Sequence, residues 1–138
     1  MTNKLKQILF EYLAATYPCG IICEVPFNKK EQKLQGIIGT DLNDIRLIFE
    51  KDGDLVCECY LSEVKPYIRP MSSMTKEELK EFVSFTSQSM HRFICESTNT
   101  DHWYNAYEEE DWLNTHKFDY RGLIKMGLAL PAPDGMYI

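Results

Sequence analysis

Apolar and polar positions alternate in two different periods along this chain, and the change of period divides it. From the N-terminus, Leu5, Ile8, Leu9, Tyr12, Leu13 and Thr16 recur every three or four residues, which predicts an amphipathic helix with one stripe towards a core. Thr2 or Asn3 is placed to cap its start, and Pro18 with Gly20 prevents its continuation. After Gly20 the runs become short and β-rich. Ile21–Val25 is a candidate strand closed by Pro26, residues 29–33 read as a polar loop, and a second strand is expected over Leu34–Thr40. Ile45–Glu50 and Leu55–Tyr60 flank an Asp52-Gly53 hairpin signal. With Asp52 and Gly53 alone in the turn, Phe49 pairs with Val56, Leu47 with Glu58 and Ile45 with Tyr60. Cys57 and Cys59 then share the other face with Ile48, and Glu58 falls awkwardly on a core face.

Helical periodicity returns downstream. Residues 64–73 contain Pro66 and Pro70 and read as an extended connector. Thr75 and Glu78 make an S/T-x-x-E capping box worth on the order of 1 kcal/mol, with Met74 and Leu79 as its staple. Leu79, Phe82, Val83, Thr86, Met90, Phe93 and Ile94 continue the apolar stripe to about Cys95. A third helix is expected from about Tyr104 to Thr115, with Tyr107 (or Glu108), Trp112 and Leu113 inward. A short fourth, Tyr120–Met126, is capped by Asp119, stapled by Phe118 and Leu123, and ended by a left-handed Gly127. The tail forms a small hairpin around Pro133-Asp134-Gly135 or docks as an extended strand. These elements make a single α+β domain over 1–138: an N-terminal helix, a small antiparallel sheet of about three to five strands, two to three further helices, and a short C-terminal segment.

Composition narrows the function. At 138 residues with 44% hydrophobic and 26% charged residues, the chain can bury a core of its own. Its 21 acidic and 15 basic residues oppose sequence-independent contact with nucleic acid. The densest basic cluster, Lys29, Lys30 and Lys33, reads as a solvated loop. No apolar run is long enough for a membrane span, and Lys6, Gln7 and Glu11 interrupt what a secretory signal would need. Five cysteines without such a signal point to free thiols in a reducing cytoplasm.

Three stretches carry a resemblance: YPCGI at 17–21, VKPYIRPMSSMTKEE at 64–78 and HKFDYRGLIKMGLALPAPDGMY at 116–137. They are similar to an uncharacterised family of small proteins of gut Bacteroidales and their phages and mobile elements. The resemblance implies a compact accessory protein, covers about a third of the chain, and brings no activity or catalytic residue with it.

Candidate chemistry is sparse. Cys19, Cys23, Cys57 and Cys59 supply four thiols, enough for a tetrahedral zinc, but C-x3-C with C-x-C lacks the usual C-x-x-C knuckles, and small buried thiols explain them too. His116 and Asp119 are the best acid–base pair, the residues a small hydrolase would use, although capping explains Asp119 without catalysis. No nucleophile elbow and no phosphate-cradling glycine loop is present, and no cofactor is implied. Trp103, Tyr104, Tyr107 and Trp112 beside the acidic run 108–111 form a candidate contact patch for a protein partner. A helix followed by a turn at 119–137 also resembles a winged-helix wing, a DNA-associated alternative that only Arg121 and Lys125 would serve. The leading expectation is a non-catalytic protein-binding or regulatory module.

Overall fold

The α+β expectation holds, with two sheets where one was expected. The structure is a computed structural model that describes residues 1–26, 31–51, 55–84 and 101–137, the side chains of 51, 55, 56 and 101–107 excepted. Helix α1 (Asn3–Thr16) starts where Thr2 accepts the Leu5 N–H at 3.2 Å. It ends in a 3-10 turn, Tyr17–Cys19, closed by Gly20 at φ 85°. Its buried stripe, Leu9, Tyr12, Leu13 and Thr16, is the one that its spacing predicts.

Strands β1 (Ile22–Glu24), β2 (Glu31–Lys33), β3 (Gly36–Ile38), β4 (Arg46–Lys51), β5 (Leu55–Tyr60), β6 (Lys65–Ile68) and β7 (Leu130–Pro131) form two sheets, ordered β2-β1-β6-β7 and β3-β4-β5. The two sheets share one stretch of chain. Leu34 donates to Ile21 and the next residue, Gln35, to Ile48, so the segment 31–38 leaves the first sheet and enters the second between those residues. Ile21, Cys23, Val25, Leu47, Phe49, Cys59 and Ile68 meet α1 in one core.

Four expectations need correction. Residues 31–33, read as the end of a polar loop, form edge strand β2; with a largely exposed side-chain pattern, it offers no apolar alternation to detect. Residues 65–68, read as a connector, form β6, which lies between β1 and β7 despite Pro66. The β7 ladder joins β6 only at Tyr67 and Ile68, so the proline lies outside it.

The β4–β5 register is shifted by one residue. Phe49 faces Cys57, Leu47 faces Cys59 and Ile48 faces Glu58. Three residues separate the paired ends, and the Asp52-Gly53 turn lies outside the described residues. Because side chains alternate, the extra residue moves the cysteines inward and puts Glu58 on the solvent face beside Arg46. That resolves the awkward core carboxylate.

The fourth helix does not form; residues 120–126 make turns. Gly122 at φ 78° breaks the path, and Asp119 reaches past the usual capping positions to the N–H groups of Leu123 and Ile124 at 2.7 and 3.1 Å. Gly127 is left-handed as expected, and Leu128→Leu123 and Gly127→Ile124 bonds complete a Schellman turn. Of the tail's two expected forms, the strand is present: Leu130–Pro131 lies parallel to β6. A tight turn with Gly135 at φ 84° follows.

The remaining helices fit with one difference. Residues 76–84 (α2) begin at the expected capping box: Glu78 N–H donates to Thr75 Oγ1 at 3.1 Å and Thr75 N–H to Glu78 Oε1 at 2.9 Å. Its stripe is only partly covered. Phe82 packs on Trp112, whereas Leu79 and Val83 are 51% and 49% exposed, so the staple partner Leu79 points outward. Thr86, Met90, Phe93 and Ile94 lie outside the described residues. Helix α3 (Asp101–Thr115) buries Trp112 and Leu113, which join Phe118 in a second, smaller core. No helix among the described residues is long and apolar enough to cross a membrane.

Candidate functional site

The most site-like feature is a groove of about 430 Å³ between residues 69–78 and the C-terminal turn 132–137. Its two walls belong to the two longer stretches that carry the sequence resemblance. The first is organised by Arg69, at the end of β6. Arg69 gives two parallel bonds to Glu78, Nη1 to Oε2 at 2.7 Å and Nη2 to Oε1 at 2.6 Å, with the side chains 19% and 17% exposed. Its guanidinium also lies 4.2 Å from the Phe118 ring centroid. Its backbone N–H donates to Lys117 and its carbonyl accepts from Asp119. One residue therefore ties β6, the start of α2 and the exit of α3 together.

Glu78 feels this directly. The Arg69 guanidinium holds its carboxyl well below the usual carboxylate range, at about 2, and the Thr75 bonds add to the effect against some burial. The second wall is held by Tyr137, whose hydroxyl donates to Tyr67 O at 2.6 Å and accepts the Ile22 N–H at 2.9 Å. Burial raises the Tyr137 pKa, so this hydroxyl stays protonated. Ala132, Pro133 and Met136 supply an apolar lip on that side.

The residues singled out in the sequence lie elsewhere. Trp112 is 8% exposed, stacked on His116 and Phe118 with ring centroids 4.1 and 5.8 Å away, and its indole N–H is buried without a partner among the described residues. The side chains of Trp103, Tyr104 and Tyr107 lie outside the described residues. His116 Nδ1 contacts Trp112 O at 2.8 Å, while both Asp119 oxygens bind backbone N–H groups of the following turn. Each therefore makes these contacts with backbone, not with the other.

The thiols are divided as well. Cys23 and Cys59 are buried in the main core with Cys57 packed against it, and Cys19 is 3.9 Å from Thr115 Oγ1. Burial, with the neighbouring Cys57 thiol, pushes Cys59 up to about 12, and burial also raises Cys23. Thiols held protonated are poor nucleophiles and poor ligands. Among the described residues, no three His, Cys, Asp or Glu side chains are gathered to hold a metal. The stretch that a winged-helix reading needs, 119–127, supplies turns in place of a helix.

Sequence reasoning found Glu78, as a cap, and missed Arg69. A single arginine between Ile68 and Pro70 carries no periodic signal, and its partner is fixed only when α2 folds back on β6. No protein-family model, curated protein or solved structure matches this chain.

Proposed function

We propose that this protein is a non-catalytic binding module that takes a segment of a protein partner into the groove between residues 69–78 and 132–137. The groove itself carries the reading: about 430 Å³, with Arg69 and Glu78 locked onto each other along one wall and an apolar lip along the other. A pre-formed cleft with few polar groups and well-anchored walls suits recognition, because little order has to be created on binding. The aromatic group Trp103, Tyr104 and Tyr107 is a further contact candidate on sequence grounds. Free Cys19, Cys23, Cys57 and Cys59 support a reducing, cytoplasmic setting. Service to a phage or mobile element rests on the sequence resemblance alone.

The test is to fill the groove. A partner captured from the source cells by wild-type protein is identified, purified and titrated by calorimetry against wild type and Ala132→Trp. Affinity falls on the order of tenfold or more in a variant that still unfolds at the wild-type midpoint. Unchanged affinity in that folded variant removes the groove as the contact site.

A further inference from the structure

The charges along the groove leave one remainder. Arg69 and Glu78 neutralise each other through their two parallel bonds, and both Glu78 oxygens are taken, Oε1 also by the Thr75 N–H. The nearby hydroxyls are engaged as well. Ser73 Oγ donates to Pro70 O at 2.7 Å, Thr75 Oγ1 accepts the Glu78 N–H at 3.1 Å, and the Tyr137 hydroxyl serves Tyr67 and Ile22. Asp134, the third charged residue lining the groove, makes no ion pair or hydrogen bond among the described residues.

An aspartate on a turn selects nothing by itself; its setting does. The Met136 N–H donates to Pro133 O at 3.1 Å and Gly135 takes φ 84°, so the backbone of Asp134 is fixed at the corner of a tight turn. Pro133 and Met136 flank it and line the groove with Ala132, so an apolar strip runs up to an uncompensated negative charge. That combination suits a side chain with an apolar stem and a cationic head, because the stem covers the strip while the head meets the charge. Arginine suits it better than lysine: two free carboxylate oxygens accept its planar fork together. The net charge of −6 on the chain favours the approach of a basic segment in the same sense.

We propose that the groove takes a basic segment of the partner, and that Asp134 receives an arginine whose stem lies along Pro133 and Met136. This rests on the groove being the contact site.

The experiment titrates the peptide acetyl-Leu-Arg-Leu-amide, and its analogue with citrulline for arginine, into the ¹⁵N-labelled full chain at low ionic strength. The amides of Thr75, Asp134 and Gly135 shift saturably with the arginine peptide. Citrulline keeps the shape of arginine without its charge and binds about fivefold more weakly. Asp134→Asn removes that preference and Asp134→Glu keeps it, with the rest of the amide spectrum unchanged because the residue is exposed. Ala132→Trp weakens both peptides alike. No saturable response to the arginine peptide, equal affinity for the two peptides, a preference that survives in Asp134→Asn, or binding untouched by Ala132→Trp overturns the inference. The groove reading fails separately, when Ala132→Trp leaves the affinity for the captured partner unchanged.

Discussion

Replacing Glu78 by glutamine isolates the charge at the centre of the groove wall. The isostere can still accept the Thr75 N–H, but it leaves Arg69 without its bidentate partner. With a folded pKa of about 2 against an ordinary carboxylate value of 4.5, the shift sets a ceiling of about 3 kcal/mol on the charged pair. Water in the open groove screens the pair, and about 2 kcal/mol is the expected loss at pH 7. Because the folded pKa is depressed, this stability is complete above the unfolded value and disappears as pH falls through the folded one. The window therefore runs from about pH 5 down to about pH 2. Urea unfolding of wild type and Glu78→Gln at pH 7 and pH 3 checks it. The deficit of the variant should be roughly halved at pH 3, where much of the wild-type advantage has been titrated away. A deficit of equal size at both pH values, or one below about 0.5 kcal/mol at pH 7, would refute the electrostatic account of this wall.

Three further outcomes follow from local geometry. Lys117, at φ 57°, occupies the left-handed position of the turn after α3, so Lys117→Gly should raise stability by about 1 kcal/mol, read as a higher thermal midpoint. Gly39→Ala places a Cβ 2.8 Å from Asp44 O and Ile45 Cα at φ 123° and should prevent stable folding. Gly127→Ala meets nothing within 4 Å and should cost only about 1 kcal/mol, so circular dichroism should separate the two variants clearly. In native protein, iodoacetamide should label half-buried Cys19 and Cys57 well before buried Cys23 and Cys59, with the order read by mass spectrometry.

How much could be read in advance depended on whether a signal was local. The α1 stripe, the Thr2 cap, the Thr75–Glu78 box and the left-handed Gly127 all lie within a few residues of the groups they satisfy, and all are present. Strand β6 was hidden because Pro66 within it and Pro70 just beyond it argue locally for a connector, and only pairing with β1 and β7 makes it a central strand. The absent fourth helix had a local sign in Gly122, set between a cap at Asp119 and a stop at Gly127 that both favour helix.

By itself, then, the sequence determined the class of fold, the apolar faces of α1 and β4, both ends of α1 and the start of α2, since propensity, period and capping act over one or two turns. Tertiary structure decided the β4–β5 register, where one extra residue between the paired ends turns Cys57 and Cys59 inward and Glu58 out. It also made the groove. Arg69 meets Glu78 only after the chain has folded back on itself, and a contact of that kind is selected by global packing, which leaves no period in the sequence.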